Sequence, residues 1–232
     1  MGNTSSRMAT IQQPKALVSW STGKDSAFAL HEARRLGQVE VVGLLTTVTS
    51  DFHRVSMHGV REVLLDRQIE ELELPCIRVS IPHPCPNEIY EREMARALGE
   101  AKARGVTHVV FGDLFLEDIR AYREAKLATI DFHGVFPLWH HDTTALAHEM
   151  LAAGLGAAIV CVDPHKLGAS FAGRTFDDSL LDSLPADVDP CGENGEFHTF
   201  VTAGPMFRRP IAVRPGAIVE RDGFVFADLL PA

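Results

Sequence analysis

At 232 residues, 46% of them hydrophobic, and with a formal net charge of -9, the chain is long enough for one large domain or two unequal ones with real cores. The acidic balance and the lack of any Lys/Arg run exclude the electrostatic footprint of a nucleic-acid binder, and no apolar run is long enough to cross a membrane. The four cysteines, Cys76, Cys85, Cys161 and Cys191, make no C-x-x-C pair and no zinc spacing, which suits free thiols in a reducing cytoplasm.

Residues 1–14 read as a disordered leader, although Met1-Gly2-Asn3-Thr4-Ser5-Ser6 matches an N-myristoylation pattern, and Met8 is an alternative start. The apolar strand Ala16 to Ser19 then runs into Ser21-Thr22-Gly23-Lys24-Asp25-Ser26. Beyond Ser26, Ala29, Leu30, Ala33 and Leu36 follow helical spacing up to a stop at Gly37. A strand-to-helix turn of small polar residues points unpaired N–H groups and the positive end of the helix dipole at an anion. The turn is expected to face solvent. Its spacing is not that of the common ATPase loop, because Val18 and Asp25 stand where that loop needs Gly and Ser/Thr, and no dinucleotide fingerprint follows a strand.

Glu40 to Val48 reads as a strand buried on both faces, parallel to the first, and the Thr49 to Gly59 loop at its end carries His53 and His58. A helix over about 60–72, a strand Cys76 to Ile81, a helix capped by Asn87 and a strand Thr107 to Asp113 follow. Gly112 allows close approach of a ligand there, and Asp113 offers a carboxylate. Glu117 and Asp118 open a helix with Arg120, Arg123 and Glu124 on one face. Gly134 to Trp139 reads as a fifth strand, and the domain boundary is placed just after it. The first domain is therefore 15–140, an α/β doubly wound parallel sheet, and 141–232 is a smaller α+β domain. That second unit starts with a helix around Thr143 to Ala153 and a strand Ala157 to Val162. It contains a hairpin across Asp222-Gly223 and, across Asn194-Gly195, an expected tight turn in Gly192-Glu193-Asn194-Gly195-Glu196-Phe197-His198-Thr199. Strand alternation puts Glu196 and His198 on a face toward the site, while Phe197 and Thr199 face the other way and Phe197 packs into the smaller domain. Clustered carboxylates resist ionising together, as proton transfer or cation binding requires.

The Ser21 loop resembles the pyrophosphate loop of ATP pyrophosphatases, with Thr22 in place of a Gly. Together with Leu116-Glu117-Asp118, Tyr122-Arg123-Glu124, Phe136-Pro137-Leu138-Trp139 and Gly192 to Thr199, it resembles the diphthine–ammonia ligase family and related ATP pyrophosphatases of PP-loop type. The resemblance spans roughly Lys15 to Phe207. It implies a ligase that adenylates an unidentified acceptor carboxylate with ATP, releases pyrophosphate and transfers ammonia to give an amide and AMP. It further implies that Ser21, Thr22, Gly23, Lys24, Asp25, Ser26, Thr46, Gly112 and Asp113 bind ATP, and that Asp25 positions Mg2+ directly or through water. Lys24, Asp25, Glu193, Glu196 and His198 would carry catalysis, and Arg120, Arg123, Glu124 and Asn194 would hold substrate. A homodimer is one possible assembly, and the sequence does not fix the oligomeric state. Two alternatives remain open, a tRNA-modifying ATP pyrophosphatase and a non-catalytic adenine-nucleotide sensor.

Overall fold

The computed structural model describes residues 13–56 and 58–232; the expected leader (except Gln13 and Pro14) and Met57 lie outside them. The first part of the chain runs β1 (Lys15–Ser19), α1 (Lys24–Leu36), β2 (Glu40–Thr49), β3 (Arg54–Val55), α2 (Glu62–Leu72), β4 (Cys76–Ile81), α3 (Asn87–Lys102), β5 (Val106–Val110), α4 (Glu117–Ala128) and β6 (His133–Val135). β1 pairs parallel with β2 on one side and with β5 on the other; β4 joins β2 and β6 joins β5, also parallel. The two-residue β3, expected as loop, runs antiparallel to the end of β2. The parallel strands therefore lie in the order β4-β2-β1-β5-β6, which is the doubly wound α/β arrangement expected. Strand order reverses between β1 and β5, and the crevice beyond their C-terminal ends is where open α/β sheets bind ligands.

One face of this sheet packs Leu17, Val79, Val109 and Leu127 with α3 side chains such as Ala97 and Leu98. The other packs against α1 and α2, and that core continues without a break into the second part of the chain. There α5 (Thr143–Ala152), β7 (Gly156–Val162), α6 (Asp178–Ser183), β8 (Phe197–Ala203), β9 (Val213–Arg221) and β10 (Phe224–Pro231) build an antiparallel sheet of order β8-β7-β10-β9. None of the described helices is long and apolar enough to cross a membrane.

Several boundaries differ from expectation for local reasons. β6 stops at Val135 because Pro137 has no N–H to give a ladder, and the chain instead turns, with Trp139 N donating to Phe136 O at 3.2 Å. Asn87 is the first residue of α3 rather than its cap; its amide donates to Glu91 at 2.8 Å. The hairpin across Asn194-Gly195 is absent: β8 pairs with β7, and the Asp189–Gly195 segment forms successive turns closed by Gly192 N to Asp189 O (2.8 Å) and Gly195 N to Gly192 O (3.1 Å).

Candidate active site

The Ser21–Ser26 turn sits at the C-terminal end of β1, with Gly23 as the residue before α1. Its shape is held from within by hydroxyls. Ser26 Oγ donates to Gly23 O at 3.0 Å, and Ser21 Oγ accepts from Gly23 N at 3.3 Å. Thr22 is fully buried and adopts φ 73°, where a β-branched residue costs about 1–3 kcal/mol. Two bonds to its carbonyl oppose that strain: Val201 N donates at 3.0 Å and Gln68 Nε2 at 3.1 Å.

Two glycines let backbones meet here. A Cβ on Gly112 would stand 2.6 Å from the backbone carbon and oxygen of Asp25, and one on Gly23 would stand 2.9 Å from His58 and 3.2 Å from the Thr199 carbonyl. The loop after β5 and the strand β8 thus both press on the first turn of α1. Thr199 Oγ1 accepts from Lys24 N at 3.0 Å, so the second sheet caps the helix that the first sheet launches.

Lys24 does not face solvent, contrary to the expectation for this turn. It is 1% exposed, its Nζ donates to Asp25 at 2.7 Å and to the Cys191 carbonyl, and it lies 5.5 Å from the centroid of the Phe197 ring. Burial disfavours the ammonium, but the Asp25 carboxylate, with Cys191 and Asp189 adding to it, holds the pKa above the ordinary lysine value. Phe197 and Thr199, assigned from the pleat to the face away from the site, are on the Lys24 side.

A cavity of about 220 Å3 is lined by Ser21, Lys24, Asp25 and Ser26 from the loop, Gly112 and Asp113 after β5, Arg123 on α4, and Glu193 and His198 from the second part of the chain. Glu193 Oε1 accepts from Leu114 N at 2.8 Å. Burial, reinforced by the Asp25 and Asp113 carboxylates, pushes its pKa up to about 7. Asp113 is likewise raised by burial, against the pull of Arg123, whose Nε is 2.7 Å away. His198 stacks on His58, with centroids 4.6 Å apart. Burial, then the nearby Lys24 ammonium, lowers His198 to about 4, and burial with His198 lowers His58 to about 3. Both rings are neutral near pH 7. His58 Nδ1 faces the Thr199 carbonyl at 3.3 Å, so it carries the proton and leaves Nε2 as an acceptor.

The remaining predicted residues do not line this cavity. Glu196 is buried, its Oε1 accepting from Asp189 N and Asn194 Nδ2 at 3.1 Å each, so it closes the 189–196 turn together with Asn194. Arg120 lies 4.6 Å from the ring centroids of Phe136 and Trp139 and pairs with Glu124 at 2.9 Å. Thr46 is buried in β2. His58, Thr199 and Gln68 were not singled out from sequence as site residues; the loop between β3 and α2 carries His58 to the Thr199 carbonyl on β8. Desolvation pushes the half-buried Cys76 thiol up to about 11 and the buried Cys161 thiol up to about 12, and raises buried Cys191 as well, so none of these three thiols is poised for sulfur chemistry.

A small-residue turn on a helix N-terminus, at the switch point of a doubly wound sheet and roofed by an antiparallel sheet, defines an α/β protein of PP-loop-type fold. Comparison with known proteins narrows this. Residues 14–127 match the diphthamide synthase N-terminal domain, and residues 142–225 match the diphthamide synthase C-terminal domain. The chain belongs to the diphthine–ammonia ligase family. A Schizosaccharomyces pombe protein named diphthine–ammonia ligase is 26% identical over 225 residues, 89% of this chain and 37% of the relative. Relatives of the same name from Danio rerio (30% over 129 residues; 53% and 50%) and Homo sapiens (31% over 99 residues; 39% and 36%) are also similar. The chain matches between 36% and 50% of the length of these curated relatives.

Proposed function

We propose that the chain is an ATP-dependent ligase that converts an acceptor carboxylate to an amide. The acceptor carboxylate oxygen attacks the α-phosphorus, the bond from that phosphorus to the bridging oxygen breaks, and pyrophosphate leaves. Ammonia then attacks the acyl carbon, AMP departs, and one proton passes to a base. The observation that carries this reading is the single cavity lined both by the Lys24–Asp25 loop and by Glu193 and His198 from the other sheet. The Lys24 ammonium, which can donate to the departing pyrophosphate, and a carboxyl group with a pKa of about 7, which can take the amine proton, then share one space.

An apolar cavity of about 220 Å3 adjoins it, sharing Ser19, Phe111 and Arg123, and includes Leu45, Tyr90 and Leu98. This suits the adenine and ribose. Asp25, Asp113 and Glu193 put three carboxylates on the phosphate cavity, and the raised pKa values of Asp113 and Glu193 fit a site where a cation would relieve repulsion. Among the described residues no three ligands stand close enough to chelate a metal unaided. Mg2+, which keeps much of its water and takes phosphate oxygens, has no need of such a cluster; Asp25 with Asp113 would hold it, and it would supply charge to the phosphates. Glu196 and Asn194 act as positioning residues that set the Glu193 turn.

Product analysis tests the reading. With ATP, Mg2+, ammonium and an accepted acid, AMP and pyrophosphate are the expected products, and Asp25→Asn lowers turnover about 10²–10³-fold with the fold retained. ADP and phosphate as main products would refute it.

A further inference from the structure

The Lys24 cavity and the apolar cavity meet at the C-terminal ends of β1 and β5, where Ser19, Phe111 and Arg123 line both. Of the lysines and arginines on either cavity, Lys24 belongs to the first, Lys126 to the second, and Arg123 alone to both. Lys24 is turned to Asp25 and the Cys191 carbonyl, and Lys126 to Glu91 at 2.7 Å. The Arg123 guanidinium is held from two directions. Its Nε stands 2.7 Å from Asp113 Oδ2 and its Nη2 donates to Asp113 Oδ1 at 3.2 Å, while its central carbon lies 4.5 Å from the centroid of the Phe111 ring. Among the described residues no acceptor takes Nη1, so that edge of the fork is free for a ligand.

With the nucleoside in the apolar cavity and the β and γ phosphates at the Lys24 loop, the α-phosphate falls where the two cavities join. We propose that Arg123 is a catalytic residue that binds the non-bridging oxygens of the α-phosphate through its free edge, with Asp113 and Phe111 positioning it. The inference rests on the ligase reading and adds to it the group that serves the one phosphate common to both steps. When the acceptor oxygen attacks the α-phosphorus, the electron pair of the breaking P–O bond leaves with pyrophosphate, and Arg123 balances the charge on the oxygens that stay on phosphorus. When ammonia attacks the acyl carbon, the breaking C–O bond leaves its electron pair on the AMP oxygen, and the same guanidinium meets that charge. Lys24, on the phosphate cavity alone, serves the pyrophosphate of the first step. An arginine fork fixes a phosphate in direction as well as by charge, which an ammonium does not. Asp113 keeps lone pairs for a water of a hydrated cation.

Calorimetric titration of the full chain with adenosine and with AMP, both without Mg2+, isolates the α-phosphate. AMP is expected to bind at least about tenfold more tightly than adenosine. Arg123→Met alone would bare the Asp113 carboxylate and repel AMP whatever Arg123 touches. The deciding protein is therefore Arg123→Met/Asp113→Asn, which removes both charges and keeps a long apolar stem beside the nucleoside. Its adenosine affinity should stay within about threefold of the parent, and its preference for AMP should fall below about threefold. Arg123→Lys, which keeps a charge on Asp113 and with it the fold, should lose part of the preference because the fork is gone. A parent that binds AMP no better than adenosine, a double variant with the parental preference, or an Arg123→Lys protein with the full preference would overturn the proposal. Any of these with α,β-methylene ATP still bound leaves the ligase reading standing; a parent that binds neither adenosine nor α,β-methylene ATP removes that reading itself.

Discussion

At Glu193, burial and the two neighbouring carboxylates act in the same direction, so the folded state holds a proton up to about pH 7 that the unfolded chain gives up near 4.5. Between those values the folded state binds more protons than the unfolded one, and stability falls as pH rises through the window. Glu193→Gln keeps the acceptor for Leu114 N and removes the titration. Its melting temperature should therefore match the parent near pH 5 and exceed it near pH 8, while amide formation is lost; parallel melting curves across that range would show that Glu193 titrates normally. In the parent, turnover should rise with pH through about 7 as the acid becomes the base. Glu196 makes the contrast. Its Oε1 accepts two bonds that a glutamine oxygen can also accept, so Glu196→Gln should keep turnover within about tenfold of the parent, and a larger loss would place its charge in the chemistry.

Among the elements, those set by neighbouring residues were legible in the sequence and those set by distant ones were not. The β1-turn-α1 unit follows from an apolar run, small residues, and a glycine at φ 62° that stops the helix. The Asp222-Gly223 hairpin forms because both residues take positive φ, 53° and 81°, as its turn type demands. Asn194-Gly195 has the same chemistry, yet only Gly195 takes positive φ (82°), because the following strand is claimed by β7 more than thirty residues upstream. That long-range pairing also turned Phe197 and Thr199 toward Lys24, which alternation alone could not orient. The contact of the β5 loop with α1 is equally invisible in sequence, although Gly112 marks it. Gly112→Ala must push the first turn of α1 away; it is expected to cost about 1–3 kcal/mol in denaturant titration and to weaken ATP binding with it. Unchanged ATP affinity in this variant would mean that the phosphate loop is independent of β5.

The molecule as a whole is organised by the seam between its two sheets, and Gln68 is the polar centre of that seam. It is fully buried on α2, accepts from Trp20 Nε1 at 2.9 Å, and donates to Thr22 O at 3.1 Å and Val201 O at 2.8 Å. One side chain thus ties the end of β1, the phosphate loop and β8. Trp20 also meets Phe207 edge-on at 6.3 Å, and ion pairs from Arg209 to Glu71 (2.7 Å) and Arg61 to Asp228 (2.6 Å) flank the seam. The exposed pairs contribute little, whereas a buried indole N–H without an acceptor costs roughly 1–3 kcal/mol. Gln68→Leu should therefore lower stability by at least that amount, and Thr22, losing one of the two bonds that hold its strained φ, should loosen the loop and weaken nucleotide binding in parallel. Because the apolar core runs unbroken from α1 and α2 into β7, β8 and β10, the parent should melt in one calorimetric transition with equal calorimetric and van't Hoff enthalpies. Two resolved transitions in the parent, or a Gln68→Leu protein with undiminished stability and nucleotide affinity, would show that the sheets fold and bind as separate units.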